Sequence, residues 1–136
     1  MRKLVRSLAR QEGTKGGEVS IVFVDDAFIR ELNHRYLGVR RATDVIAFPL
    51  GGEVGGNGRD LIGEVYVSGE RALAQARRHH IGLGQEVSRL VVHGVLHLLG
   101  YRDGTPSDRR KMIRRQEAFL RAHAPLVAQA ARRARQ

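Results

Sequence analysis

Two histidines and an aspartate lie close together in the second half of the chain, at a spacing that suits a metal ion. His93, His97 and Asp103 form the pattern HxxxHxxGxxD. On a helix, residues four apart lie one above the other, so the two imidazoles can converge on one ion. Gly100 suits the left-handed conformation that commonly ends a helix, and a turn there would return Asp103 to the same point. Three protein ligands leave one position for water, as in catalytic sites, whereas four ligands close a structural site.

The two histidines have a second interpretation, in which they are core residues bonded to carbonyl groups. The residues around them favour the metal. The segment is apolar on nearly all sides of a helix, which predicts a central and buried element; its apolar residues are Leu90, Val91, Val92, Val95, Leu96, Leu98 and Leu99. Two imidazoles in such a place need partners, and one shared ion satisfies both.

The residue that follows the first histidine argues against one class of metal enzyme. Zinc proteases of the HExxH type have a glutamate there, which acts as general base, whereas this chain has Gly94. A metalloprotease is therefore a disfavoured alternative. Glycine inside a helix costs about 1 kcal/mol relative to alanine, so we expect a backbone or a substrate to approach Gly94 closely.

Composition narrows the class of partner. The chain has 136 residues and a mass of 15.2 kDa, so we predict one domain over residues 1–136. Lysine and arginine number 24 against 14 acidic residues, which gives a net charge of +10 and a sequence pI near 11.3. Such a charge favours a polyanion as partner, although an arginine-rich composition also arises in GC-rich genomes.

Cysteine content and hydropathy bear on the compartment. There are no cysteines, so disulfides and thiolate ligands are excluded, which is compatible with a reducing cytoplasm. The basic start of the chain is not followed by an apolar run of signal-peptide length, and no stretch has the length of a membrane span. We therefore predict a cytoplasmic protein without a membrane partner.

The hydrophobic spacing predicts an α+β or α/β domain, in which the metal helix is buried against a small sheet of three or four strands. The expected helices cover 2–10, a segment after Asp25 and Asp26, a segment from Ser68 to about His79, 85–99, and a last helix starting at Thr105 and Pro106; the expected strands cover 19–24, 43–50 and 61–68. The glycine-rich segment 51–58 predicts a mobile hairpin connection, because a phosphate-binding loop would be followed by a helix.

The remaining histidines and the C-terminal segment have simpler interpretations. His34, His79, His80 and His123 are poor candidates for metal ligands. From residue 124 onward the chain is rich in alanine and arginine, which predicts a frayed basic tail that could touch the phosphates of a polyanion.

Several motifs resemble those of one family. The run HGVLHLLGY at residues 93–101 is similar to the signature of the YbeY family of bacterial metal-dependent endoribonucleases. Leu32, Asn33 and Tyr36 resemble its LNxxY motif, TDVIAFP at 43–49 its TDVLSFP block, and GEVYVS at 63–68 its GDIxIS strand. The resemblance covers most of residues 20–120 in the family's order. It implies an α+β fold with a mixed sheet, packed by about four or five helices, and a metal site on the central helix.

The same resemblance implies a function. Members of the family are single-strand-specific endoribonucleases that act in 16S rRNA 3′-end maturation and in ribosome quality control. The expected cofactor is one Zn²⁺ ion, with other divalent metals as alternatives, and the expected nucleophile is the metal-bound water or the substrate's own 2′-hydroxyl. The expected partners are single-stranded ribosomal RNA and the small ribosomal subunit. The alternatives are a ribosome-associated RNA-binding factor with a structural metal and a hydrolase of small phosphate compounds.

Two positions depart from the family pattern. The commonest third ligand of the family is a histidine, where this chain has Asp103; a carboxylate is an acceptable zinc ligand, but its charge makes the ion a weaker Lewis acid. The family usually has an arginine where this chain has Leu37. Arg35, Arg40 and Arg41 are the candidates to contact the substrate in its place, and the alternative is that they are ordinary solvated charges.

Overall fold

The computed structural model of the chain describes residues 1–14, 17–37, 43–50 and 61–134. Within these ranges there are six helices and three strands: α1 (Arg2–Gln11), β1 (Gly17–Val24), α2 (Asp26–Leu37), β2 (Val45–Pro49), β3 (Leu61–Ser68), α3 (Gly69–Arg78), α4 (Leu83–Leu98), α5 (Pro106–Ala122) and α6 (Ala124–Ala134). The predicted α+β class is confirmed. The glycine-rich segment 51–58 lies outside the described residues.

The three strands form a mixed sheet in the order β1–β3–β2. In the register of this sheet, Val65 of the central strand β3 lies between Ile21 of the parallel strand β1 and Ala47 of the antiparallel strand β2. A parallel pair cannot be joined by a tight hairpin, and α2 and β2 occupy the long connection between β1 and β3.

Two helices cover opposite faces of this sheet. Phe28 of α2 stacks on Tyr66, with ring centroids 6.4 Å apart. Gly94 of α4 lies against Val65, which is the neighbour of Tyr66 in β3. Because consecutive residues of a strand point to opposite faces, α2 and α4 lie on different sides of the sheet.

Helix α4 is the central element of the apolar core. Its residues Val91, Val92, Val95 and Leu96 are fully buried. They belong to a cluster that also contains buried residues of α1, β3, α3, α5 and α6: Leu4, Leu8, Leu61, Val65, Val67, Ala72, Met112, Phe119, Leu120 and Val127. The predicted burial of this helix is confirmed. No helix in the described ranges is both long enough and apolar enough to cross a bilayer.

Side-chain caps begin three of the helices. Asp25 Oδ1 accepts a hydrogen bond from the backbone N–H of Phe28 at 2.8 Å, at the start of α2. Ser68 Oγ accepts from Arg71 N–H at 3.2 Å to cap α3. Thr105 Oγ1 accepts from Asp108 N–H at 3.0 Å to cap α5. Asp, Ser and Thr are preferred at this position because their short side chains accept from the first free backbone N–H groups of a helix.

The frayed tail predicted from residue 124 is wrong for residues 124–134, which form helix α6. Val127 and Ala130 are buried and Leu126 is partly buried, at the spacing of one helix face. α6 lies so close to the start of α4 that a Cβ built on Gly84 would overlap the backbone of Ala131. This apolar face packs against the rest of the protein and so holds the segment in a helix. The alanine- and arginine-rich composition of the segment did not indicate such a face.

Gly94 marks the closest approach of α4 to the sheet. A Cβ built there would lie 2.6 Å from Val65 Cγ1 and 3.1 Å from Val45 Cγ2. The expectation that a backbone or a substrate approaches Gly94 is therefore wrong, because core side chains of β2 and β3 occupy that position. A glutamate at position 94 would begin among these valines, so this site has no place for the base of an HExxH protease.

The substitution Gly94→Ala should destabilise the fold. Overpacking a core costs about 1–3 kcal/mol, whereas alanine recovers about 1 kcal/mol of helix propensity, so we expect a net loss on the order of 1 kcal/mol in the free energy of unfolding. Chemical denaturation measures it. The control is Gly69→Ala on α3, where an added Cβ meets nothing within 4 Å and stability should not fall. A Gly94→Ala variant more stable than the original chain would contradict the packing described here.

Candidate metal centre

The structure brings the three predicted ligands together. His93, His97 and Asp103 each offer one ligand atom, and these atoms lie within 4.8 Å of one another. The two imidazole centroids are 4.8 Å apart. His97 Nε2 lies 3.4 Å from Asp103 Oδ2. Both histidines are half-buried and Asp103 is half-exposed, so the cluster is open to solvent on the side of the carboxylate.

A tight turn at the end of α4 returns the chain toward the histidines. Gly100 has φ +104°, the left-handed conformation that the sequence predicted. Its N–H donates to the carbonyl of His97, and the N–H of Tyr101 donates to the carbonyl of Leu96. This pair of bonds is the Schellman motif, which satisfies the last carbonyls of a helix and reverses the chain. Asp103 follows three residues after Gly100 and meets His97.

Each histidine is held through its Nδ1 atom. His97 Nδ1 lies 3.2 Å from the backbone carbonyl oxygen of Tyr101. His93 Nδ1 lies 2.8 Å from Oε1 of Gln116, on α5. A partner on one ring nitrogen of a histidine orients the ring and leaves the other nitrogen for a metal. The site therefore has candidate ligands from α4 and its exit turn, and a group from α5 that orients His93.

The protonation state of His93 suits metal binding. Burial lowers the pKa of His93 from its ordinary value, and this effect exceeds the opposing effects of the hydrogen bond to Gln116 and the charge of Asp103. The imidazole is therefore neutral at neutral pH, which is the form that donates a lone pair to a metal.

The geometry of the cluster fits a small divalent cation. Tetrahedral zinc with bonds of about 2.0–2.1 Å places neighbouring ligand atoms about 3.3 Å apart, close to the separation of His97 Nε2 and Asp103 Oδ2. Two nitrogen donors and one carboxylate form a ligand set that zinc accepts, with a fourth position left over. In this chain the alternative, core histidines bonded to carbonyl groups, explains the contact of His97 with Tyr101 but not the convergence of His93 and Asp103 on the same point.

Sequence reasoning missed Gln116 as part of the site. In the structure it is 7 % exposed, and its amide oxygen faces His93. The signal was an amide at a core position of α5, because a buried amide needs hydrogen-bond partners.

The predicted arginine contacts have separate outcomes. Arg35 is exposed on α2, and its Nη2 lies 3.9 Å from Oε1 of Glu31, one helical turn away. Since α2 covers the face of the sheet opposite to α4, the structure does not bring Arg35 to the cluster. Arg40 and Arg41 lie outside the described residues.

The other histidines do not join the cluster. His123 stacks on Phe119, with ring centroids 4.1 Å apart, and the exposed His80 has φ 56° just after α3. His34 and His79 are likewise absent from any group that could hold an ion in the described part of the chain.

A buried helix that presents two histidines, with a carboxylate returned to them by the exit turn, within an α+β domain, is typical of a metal-dependent hydrolase. The family model described as "Endoribonuclease YbeY" matches residues 1–124. The chain belongs to this family.

An endoribonuclease YbeY of an Anaeromyxobacter species is 42 % identical over 110 residues, which are 81 % of this chain and 56 % of the relative. An endoribonuclease YbeY of Clostridium botulinum is 36 % identical, with 90 % of this chain and 85 % of the relative covered.

A solved structure supports the fold. The solution structure of a protein from Thermotoga maritima is similar with a TM-score of 0.59 and 27 % sequence identity, over 88 % of this chain and 75 % of that protein. The chain thus spans 56 % of the length of the Anaeromyxobacter relative and larger shares of the other two proteins.

Helix α4 carries a buried acidic residue two turns before His93. Glu86 is 3 % exposed, and its Oε2 has no hydrogen-bond partner within the described ranges. Burial raises the pKa of Glu86. Arg89, with its Nε 3.9 Å from Oε2, lowers the pKa, but this effect is smaller than that of burial. A carboxyl group whose pKa is raised on folding stabilises the protein below its unfolded pKa, and this contribution is lost as the pH rises through the folded value.

The substitution Glu86→Gln should therefore gain stability relative to the original chain as the pH rises. The free energy of unfolding of the variant minus that of the original chain should increase from about pH 4 to pH 7, because only the original chain must bury an ionising carboxyl group. Denaturant titrations across this range measure the difference. Glu18→Gln, at an exposed position of β1, controls for the loss of one charge. A difference that stays constant or falls with rising pH would contradict the effect.

Proposed function

We propose that this chain is a metal-dependent endoribonuclease that cleaves single-stranded RNA in the cytoplasm. Its proposed substrate is ribosomal RNA, with a role in 16S rRNA 3′-end maturation and in ribosome quality control, and its proposed partner is the small ribosomal subunit. The observation that carries the proposal is the convergence of three ligand atoms within 4.8 Å on α4 and its exit turn. Membership of the endoribonuclease YbeY family supports RNA as the substrate class.

The proposed cofactor is one zinc ion held by His93, His97 and Asp103. When bound, the ion supplies Lewis acidity toward a water or a phosphate oxygen. His93 and His97 contribute neutral nitrogen donors, whose rings are oriented by Gln116 and by the carbonyl of Tyr101. Asp103 contributes one negative charge, which leaves a net charge of about +1 at the centre. Other divalent cations that accept nitrogen and carboxylate donors are alternatives.

The charge of the chain supports a nucleic-acid substrate. With a net charge of +10, the protein should concentrate RNA at its surface, and binding should weaken as salt rises. We retain Arg35, Arg40 and Arg41 as proposed contacts to substrate phosphates. The proposal is thus a cationic surface that binds the strand and a metal centre at which it is cut.

The rival functions predict different results. An RNA-binding factor with a structural metal would bind metal and RNA but leave single-stranded RNA uncut. A metalloprotease would cleave peptides, which Gly94 disfavours because it lies against the valines of the sheet. Elemental analysis of the purified protein, with assays on single-stranded RNA, duplex RNA and a peptide library before and after chelation, distinguishes the three.

The substitution His97→Ala should remove stoichiometric metal and reduce RNA cleavage by more than about 100-fold, because several kcal/mol of transition-state stabilisation are lost with the ion. Elemental analysis and cleavage of single-stranded RNA measure the two losses in the same preparation. His80→Asn is the control, since asparagine tolerates the left-handed backbone and His80 lies outside the cluster. Cleavage that persists in a metal-free preparation of the His97→Ala variant would reject the assignment.

The charge of the third ligand gives a further prediction. Asp103→His should retain stoichiometric metal and cleave RNA at least as fast as the original chain, because a neutral imidazole leaves the ion with its full charge. Asp103→Ala should bind metal more weakly. Metal titration and cleavage rates measure both variants. If all three proteins bind metal equally, Asp103 is not a ligand.

A further inference from the structure

A line of polar contacts joins α4 to α5 behind His93. Arg89 Nη2 lies 2.7 Å from Oε1 of Glu117. The Nε2 of Gln116 donates to the same carboxylate oxygen at 3.3 Å. On the other side of its amide, Oε1 of Gln116 lies 2.8 Å from Nδ1 of His93. Gln116 is 7 % exposed, so its amide group has little access to water as an alternative partner.

The donors and acceptors of this line have a fixed direction. A guanidinium can only donate hydrogen bonds, and an ionised carboxylate can only accept them. Glu117 must therefore face the NH₂ group of the Gln116 amide, which turns the amide oxygen toward His93. An amide oxygen only accepts, so Nδ1 of His93 must carry the proton. In the neutral ring, Nε2 is then the nitrogen with a free lone pair.

The two histidines obtain the same tautomer by different means. His97 faces the carbonyl oxygen of Tyr101, which is a backbone acceptor and cannot reverse its direction. His93 faces an amide, which could present either its oxygen or its NH₂ group. An amide turned the other way would donate to Nδ1 and leave the proton on Nε2, where it would block a metal. His93 therefore needs a further group that decides the direction of the amide.

We propose that Glu117, held by Arg89, is a positioning residue that fixes the Gln116 amide and thereby makes Nε2 of His93 available to the metal. This inference rests on the proposed metal centre, but it concerns the hydrogen bonds of the metal-free protein. Glu117 and Arg89 are half-buried, with side chains 29 % and 38 % exposed. If this pair were only an ordinary salt bridge between helices, every uncharged residue at position 117 would change the zinc affinity by the same amount.

Two substitutions at position 117 separate these possibilities. Glu117→Ala and Glu117→Gln both remove the charge, but only glutamine retains an oxygen that accepts from the Gln116 amide. In the Glu117→Ala variant, zinc affinity should fall about tenfold, at the lower end of the effects of removing a partner behind a metal-bound histidine. In the Glu117→Gln variant it should stay within about threefold of the original value. Competition with a chromophoric chelator measures the affinities.

The tautomer is measured directly in the metal-free proteins. Nitrogen-15 NMR of the imidazoles should show His93 protonated at Nδ1 in the original chain and in the Glu117→Gln variant, and a mixture of tautomers in the Glu117→Ala variant. Glu31→Ala is the control for the loss of a glutamate that pairs with an arginine, because Glu31 lies 3.9 Å from Arg35 on α2 and does not take part in the hydrogen bonds of Gln116. The His93 signals of this control should not change.

The outcomes separate this inference from the proposed function. Equal zinc affinity in the Glu117→Ala and Glu117→Gln variants, or an original chain with His93 protonated at Nε2, would overturn the role of Glu117 while leaving RNA cleavage intact. An original chain that binds neither zinc nor another divalent cation would overturn the proposed function, and the NMR measurement would still decide the tautomer. If the Glu117→Ala variant fails to fold, the tautomer of the original chain and of the Glu117→Gln variant decides the question.

Discussion

The contact between α4 and the sheet at Gly94 is the constraint on which the site depends. Because position 94 has no side chain, the helix backbone approaches Val65 and Val45 closely, and this approach sets the rotation of α4 about its axis. Val91, Val95 and Leu96 are then buried, while His93 and His97 remain half-buried. The turn at Gly100 starts from the end of this fixed helix, so the position of Asp103 depends on the same contact.

Helix α5 contributes to the candidate metal centre without supplying one of the three candidate ligands. A metal needs unprotonated nitrogen atoms, and a neutral imidazole has its proton on one of two nitrogens. Gln116 and Glu117 are consecutive residues of α5. Gln116 contacts His93, and Glu117 contacts Gln116. The packing of α5 against α4 therefore has a chemical consequence as well as a contribution to stability.

Helix α6 lies almost entirely beyond the residues that the family model matches. The family model ends at residue 124, where α6 begins. This helix packs across the start of α4, with Ala131 against Gly84. It supports the central helix at the end opposite to the metal centre, since His97 and the exit turn are at the other end of α4.

Local spacing was sufficient to predict most of the fold and the convergence of the three candidate ligands. Four residues separate His93 from His97, which places them on one helix face in any α-helix, and Gly100 allows the turn that returns Asp103. The caps at Asp25, Ser68 and Thr105 follow from equally local hydrogen bonds. These features depend on residues within about one or two helical turns of each other, which is why the amino-acid sequence alone determined them.

Contacts between distant segments were decided by the tertiary structure. Gln116 is 23 residues from His93, and nothing in the spacing of either residue indicates that they meet. The neighbour of Gly94 was predicted wrongly for the same reason, because Val65 and Val45 reach it across the sheet. The helical state of residues 124–134 depends on a surface supplied by α4. Such contacts depend on how elements pack in three dimensions, and the local pattern along the chain contains no record of that packing.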